Sequence, residues 1–263
     1  MAIITVSRGT YSGGKVLAEG LSRVLGYRLL TREELLAKAA RQFGIPPEDL
    51  ESALLMRPRF LENRHKKLHY IYCVQAALAS DVKRDGVVYI GQAGHLLLKG
   101  IRHHLRLKVV ASLEMRVKAA MERSDVTDPL EYVRKLDTER DKWVRWVYGV
   151  DRTDPTTYDL VINLQQVSIP VACSVVSQLV SSRFQTTPES QAALDDLAFA
   201  SELRAHIGLD RKIVDDRIEI DARAGVVTLK GTVRSLVDAD RVREFVGCTE
   251  GVTEVHSHLS VRW

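Results

Sequence analysis

The strongest constraint in this chain is the stretch "GTYSGGKV", Gly9 to Val16. It lies between the apolar run "IITV" (Ile3 to Val6) and "KVLAEGLSRVLG", which places Leu17, Leu21, Val24 and Leu25 at helical spacing and stops at Gly26. Strand, glycine turn and helix in that order aim successive backbone N–H groups and the positive end of a helix at one point, an arrangement suited to phosphate. The stretch fits the pattern GxxxxGK[ST] except at the last position, where Val16 replaces a hydroxyl residue. Gly9, Gly13 and Gly14 permit close backbone approach, Thr10 and Ser12 supply hydroxyls, and Lys15 is in register to reach β- and γ-phosphates. The alternative is a glycine-rich turn with no ligand.

The rest of the first 184 residues alternates strand and helix signals. "YRLL", "GVVYIG", "LRLKVVAS" and "YDLVIN" read as strands. The helical segments begin with "TREELLAKAARQFG", where Thr31 is an N-cap and Gly44 a stop, and "PPEDLESALL", which starts at a proline. They continue with "LENRHKKLHYIYCVQAALASDVKRDG", "LEMRVKAAMERS", "PLEYVRKLDTERDKWVRWVYG" and "VACSVVSQLVSSRF". Apolar strands separated by helices predict an α/β fold, a mostly parallel sheet with helices on both faces. A polar, proline-containing stretch then sets a linker at 185–193, and 194–263 reads as a small α+β domain in the order helix, strand, strand, helix, strand. In its last strand Val255, Leu259, Val261 and Trp263 alternate inward.

Charge divides along the same line. Residues 189–263 hold 10 Lys and Arg against 14 Asp and Glu, and the preceding residues hold 28 against 20, so the first domain is the one to hold an anion. Cys73, Cys173 and Cys248 lack metal-ligand spacing and read as reduced and structural. His95 and the pair His103 and His104 have no carboxylate or cysteine at ligand spacing, so no metal site is expected and surface or capping roles are assigned. His256 and His258 read as solvent-facing, and Trp143, Trp146 and Tyr148 as burial against the sheet rather than base stacking. With no apolar run of about 18 residues and no signal-peptide layout, a soluble cytoplasmic protein is expected.

Residues 1 to about 184 resemble the cytidylate kinase-like family of P-loop nucleoside monophosphate kinases. The resemblance rests on Ser7, Arg8, Ser12, Gly13, Gly14, Lys15 and Ala18, and continues through "LGYRLLTREEL", "YIGQAGHLLL", "SLEMRVKAAMERSD", "RKLDTER" and "DPTTYDLVIN". It implies ATP and Mg²⁺ as cofactors and a nucleoside monophosphate as acceptor, with the loop from Gly9 to Val16 around the donor phosphates. It also implies Arg123 on a mobile lid beside Lys15 and Arg140 as catalytic charges. Arg32, Arg116, Arg134 and Asp137 would face the acceptor, Asp137 at its sugar or base.

From the residues alone, Arg116 and Arg123 share a helix face, and Arg134, Asp137 and Arg140 form another polar face that also fits a solvated, salt-bridged helix. Arg32 has Glu34 and Glu48 as alternative ion-pair partners. The chain departs from the family at Val16, and at Gly91-Gln92-Ala93, where Gly-Arg-Asp is expected. Cytosine preference therefore does not carry over, and Mg²⁺ is left to Ser12, Thr10, phosphates or water.

The C-terminal part resembles the BON domain, through Gly225, Val226, Val227, Leu229, Gly231, Val233, Gly251, Val252 and Val255. Its acidic charge disfavours adhesion to anionic lipid, so a regulatory or interaction role is expected, with a protein partner or homo-oligomer. Neither a nucleic-acid partner nor a membrane span is expected. A catalytically weak nucleotide sensor is the alternative to the kinase, and a lipid-associated adaptor ranks third.

Overall fold

The computed structural model describes residues 1–55, 62–84, 86–122, 126–210 and 215–261. The chain forms two compact units that do not follow chain order. The first contains residues 1–35 and 84–187; the second contains 36–53, the helix that follows, and the chain from Pro188 onward.

In the first unit β1 (Ile3–Arg8) leads through the glycine loop into α1 (Gly14–Leu25), and β2 (Arg28–Thr31) leads into the start of α2 (Arg32–Phe43). After the second unit's α3 (Pro47–Leu55) and α4 (Glu62–Val82) come β3 (Val87–Ile90), the short α5 (Gly94–Leu97), β4 (His104–Val110) and α6 (Leu113–Met121). α7 (Pro129–Tyr148), a 3-10 turn (Pro155–Thr157), β5 (Leu160–Asn163) and α8 (Ile169–Arg183) complete it.

The sheet order is β2-β3-β1-β4-β5 with every pairing parallel, as the apolar strands predict. Ile4 and Val6 point to one face, where Leu17 and Leu21 of α1 and Val176 and Val180 of α8 close the core. Gly26 ends α1 at φ +67, its N–H returning to the Ser22 carbonyl, a left-handed stop that glycine adopts without strain. Thr31 and Glu34 form a reciprocal capping box: the Thr31 N–H donates to Glu34 Oε2 at 2.8 Å, and the Glu34 N–H donates to Thr31 Oγ1 at 3.2 Å.

Three histidines depart from expectation. His95, His103 and His104 are all buried, not at the surface. His104 lies between Thr5 Oγ1 (2.7 Å) and the Leu98 carbonyl (3.1 Å). Because the carbonyl only accepts, Nδ1 carries a proton; burial lowers the His104 pKa to about 4, so near neutral pH the ring is uncharged and Nε2 accepts from the Thr5 hydroxyl. Trp143 is fully buried, whereas His256 and His258 are exposed, both as read from the sequence. Cys248 is exposed and free, and Cys73 and Cys173 are buried and free.

In the second unit α9 (Pro188–Leu209) precedes β6 (Asp215–Arg223), β7 (Val226–Val233), α10 (Leu236–Gly247) and β8 (Glu254–Val261). Residues 188–193, expected as linker, are the first turns of α9, because Pro188 fits the first turn of a helix. β7 pairs antiparallel with β6 and parallel with β8. Leu203 and Ile207 of α9 meet Ile218, Val227, Leu229, Val233, Val242 and Val246 in a small core. α9 also packs along α4: the Arg204 guanidinium lies 4.1 Å from the Tyr72 ring centre, and Lys83 pairs with Asp195 at 3.4 Å. The helix is thus shared between the C-terminal sheet and α4, and residues all round it are buried.

Candidate phosphate-binding site

The loop after β1 closes on itself through Ser12, whose N–H and hydroxyl both reach the Gly9 carbonyl, at 3.3 and 3.0 Å. Gly13 takes φ +83 as the N-cap of α1 and supplies no side-chain acceptor, so the first amides of the helix stay open to an anion. Glycine is required here because arginines crowd the loop. A Cβ on Gly9 would stand 3.2 Å from an Arg116 terminal nitrogen, and one on Gly14 would stand 2.8 Å from the Arg8 Cβ. Tyr11 holds φ +59 within the loop, and its ring lies 6.4 Å from that of Tyr132 on α7.

α7 anchors the loop through Asp137. Asp137 Oδ1 accepts the Thr10 N–H (3.1 Å) and the Thr10 hydroxyl (2.8 Å), while its other oxygen forms a close ion pair with Arg116 of α6. Arg140 donates to Thr10 Oγ1 at 2.7 Å. Burial raises the Asp137 pKa, but the hydrogen bonds from Arg116 and Thr10 outweigh it and leave the carboxyl below its usual range. The structure therefore commits Asp137 to the loop, whereas the resemblance implied the acceptor's sugar or base.

A cavity of about 340 Å³ opens beside the loop at the C-terminal ends of β1, β2 and β3, the usual ligand position in an open parallel sheet. Lys15, Arg8, Arg32, Arg140 and Arg152 line it, with Glu33 as the one carboxylate among the described residues of its wall. Arg32 pairs with Glu33 at 2.8 Å. Burial and then its neighbours Arg8 and Arg152 lower the Arg140 pKa to about 10; burial and then Arg32 lower that of Arg8. Arg8 and Arg140 are thus destabilised by burial and by neighbouring guanidinium groups, a charge pattern that an anion would relieve. Gln92 and Ala93 line the same cavity, and the Gln92 amide nitrogen is buried without a partner among the described residues.

Among the expected site residues, Gly9, Thr10, Ser12, Gly13, Gly14, Arg116, Asp137 and Arg140 converge on the loop, and Lys15, Arg32 and Arg140 reach the cavity. Lys15 is exposed, 4.0 Å from Glu19. Arg134 is not brought there; it lies exposed in a separate groove beside Asp128 and Glu131. Arg123 lies outside the described residues.

The sequence reading missed Arg152, Glu33 and Lys108. Lys108 is buried behind the cavity, donates to the Arg152 carbonyl at 3.2 Å and sits 5.0 Å over the Tyr158 ring. Burial, then the Arg152 charge, lowers its pKa to about 8. No local pattern marks Arg152, which sits in the turn after α7.

The cradle of open amides, glycines and Lys15 fits a nucleotide's phosphates. It offers a magnesium ion no exposed side-chain oxygen: Val16 has none, and Thr10, between Asp137 and Arg140, and Ser12, donating to Gly9, are both buried. Among the described residues no group of three or more His, Cys, Asp or Glu is placed to hold a metal.

The model of the cytidylate kinase-like family matches residues 3–166, more than half of the sequence. The chain belongs to that family. The BON domain model matches residues 195–262. A cytidylate kinase of Methanothrix thermoacetophila is 26% identical over 162 residues, 61% of this chain and 87% of that protein. An uncharacterized protein from Eubacterium ventriosum shares the fold, with a TM-score of 0.55, 18% identity, and coverage of 69% of this chain and 99% of the other. A shikimate kinase from Acinetobacter baumannii in complex with shikimate aligns at a TM-score of 0.41 and 13% identity, over 69% and 94% of the two chains. This member of the cytidylate kinase-like family carries Val16 at the end of its glycine loop, and Gln92 and Ala93 after β3. No helix among the described residues is long and apolar enough to cross a membrane.

Proposed function

We propose that this chain is an ATP-dependent nucleoside monophosphate kinase whose C-terminal BON-like domain regulates it or binds a partner. The observation that carries the reading is the cavity beside the phosphate loop, with five cationic side chains and one carboxylate in its wall. Transfer of a phosphoryl group between nucleotides needs little covalent chemistry from the protein and much positioning and positive charge. In this reading the loop from Gly9 to Lys15 holds the donor phosphates, Arg140 stabilises charge on the group in transit, and Arg32 faces the acceptor. Magnesium would enter with the nucleotide, held by its phosphates and water. CMP is the first acceptor to try, because the curated relative is named a cytidylate kinase.

A second reading, a slow or silent nucleotide sensor, draws on the same site: Val16, Gln92 and Ala93 remove a hydroxyl and two charges from it. Steady-state assays with MgATP and each of CMP, UMP, AMP and GMP separate the two. Saturable, acceptor-dependent ADP formation supports the kinase; ATP binding with no acceptor-dependent turnover supports the sensor.

A further inference from the structure

Arg152 is 7% exposed, yet its guanidinium lies in the cavity wall. Its Nε and one terminal nitrogen both meet Asp141 Oδ1, each at 2.7 Å, and the other terminal nitrogen donates to the Arg8 carbonyl at 3.3 Å. A guanidinium has five N–H donors, so two remain with no protein acceptor among the described residues. The Arg152 backbone is fixed as well. Its carbonyl accepts from Lys108 Nζ at 3.2 Å and from the Tyr158 hydroxyl at 3.0 Å.

The result is a rigid, half-committed fork placed among other cations. Asp141 offsets one charge, but Arg8, Arg140 and Lys108 surround Arg152 with like charge, and the lowered pKa values of Arg140 and Lys108 both record its presence. Asp141 and the Arg8 carbonyl take three of its donors and fix the fork, and two N–H groups remain over. Across the cavity, at the end of β3, Gln92 and Ala93 bring no charge. On that side of the sheet Arg32 is the charge already assigned to the acceptor, and the cavity wall offers Arg152 as a second. Arg152 is fixed and has N–H groups left over, and planar paired donors suit a phosphate's oxygens.

We propose that Arg152 binds the phosphate of the second nucleotide, the acceptor, through the N–H groups that Asp141 and Arg8 leave free. Asp141 is then a positioning residue that orients the fork. The inference rests on the kinase reading for the identity of that ligand, a nucleoside monophosphate, and it adds to the site a residue from the turn between α7 and the 3-10 helix.

The test is calorimetric titration of the full chain with CMP, UMP, AMP and GMP in the presence of ADP, and separately with ADP, for wild type, Arg152→Gln and Arg152→Lys. Unliganded melting curves are recorded alongside. The expected result is that Arg152→Gln weakens the monophosphate bound by wild type tenfold or more, and leaves ADP affinity within twofold. Its unliganded melting temperature falls by a few degrees at most, because Asp141 and the Arg8 carbonyl lose a partner while a like charge beside Arg8 and Arg140 has gone, and the titrations are run well below both transitions. Arg152→Lys, which keeps the charge without the fork, falls between. Monophosphate affinity within twofold of wild type in Arg152→Gln would overturn the proposal. So would an equal loss of ADP and monophosphate, or a lowered melting temperature with unchanged monophosphate affinity. If wild type binds a monophosphate but never phosphorylates it, and Arg152→Gln loses that binding, the kinase reading falls while Arg152 keeps its role. Wild type that binds ADP but none of the four overturns both.

Discussion

Asp137 on α7 holds Thr10 of the phosphate loop by two donors at once, the backbone N–H at 3.1 Å and the hydroxyl at 2.8 Å. A loop with open amides has few internal bonds, and this carboxylate supplies the order that α1 alone does not. Asp137→Ala removes both contacts and strips Arg116 of its ion-pair partner. Hydrogen bonds to a charged group contribute about 2 kcal/mol each, so ATP affinity should fall roughly tenfold or more and the melting temperature by several degrees. Titration with ATP and a thermal scan check this; unchanged ATP affinity would show that the loop keeps its shape unaided.

Val16 stands at the third position of α1 with half of its surface exposed, at the place where the phosphate-loop pattern carries a hydroxyl residue. Val16→Thr is close in shape, so the fold should not change. The expected outcome is a lower magnesium concentration for half-maximal turnover and a several-fold higher kcat, with ATP affinity nearly unchanged. Identical magnesium titration curves for the two proteins would count against the missing hydroxyl as a limit on the enzyme.

Acid should unfold the first unit through its buried histidines. Burial lowers the His104 pKa to about 4, whereas an unfolded chain titrates near the ordinary value of 6.5. The unfolded state therefore binds more protons between these values, and stability is lost as pH falls from about 6.5 towards 4, by about 3 kcal/mol for this group. His95, lowered by burial to about 3, acts in the same direction. His104→Asn keeps a donor for the Leu98 carbonyl without a titrating ring. Urea unfolding at pH 4 to 7 should show a shallower pH dependence in this variant; superimposable profiles would contradict the assignment.

Much of the first unit was legible because its signals are local. The glycine loop, the Thr31 cap and the Gly26 stop each need only a few consecutive residues, although the return bond from Glu34 was not read and Glu34 was offered to Arg32 instead. The histidines were misread because their surroundings are set by strand pairing, with Thr5 lying 99 positions from His104. Arg152 left no signal for the same reason: its partners are Asp141, on the preceding helix, and a backbone carbonyl 144 positions away. Asp137 was picked out as functional, but its partner Thr10 lies 127 positions earlier, so a pattern on one helix said nothing of what it holds.

The second unit gives a prediction about cooperativity. α4 packs on α9, and α9 supplies Leu203 and Ile207 to the core of the C-terminal sheet. Elements that bury each other open together. In native-state hydrogen exchange, slow amides of α4 and β7 should share one opening free energy, although more than 140 residues separate their starts. Tyr72→Ala, which removes the ring beneath Arg204, should lower both by about 3 kcal/mol. If α4 exchanges with the amides of β1 and ignores the Tyr72 change, α4 belongs energetically to the first unit.

The central claim is transfer of a phosphoryl group from ATP to a nucleoside monophosphate, and following the γ-phosphate itself tests it most directly. ATP labelled at that position, with Mg²⁺ and each of CMP, UMP, AMP and GMP in turn, should deliver the label to at least one nucleoside diphosphate, and Lys15→Ala should abolish the delivery. Label that stays in ATP or appears only as inorganic phosphate, with every acceptor and in a protein that binds ATP, would contradict it.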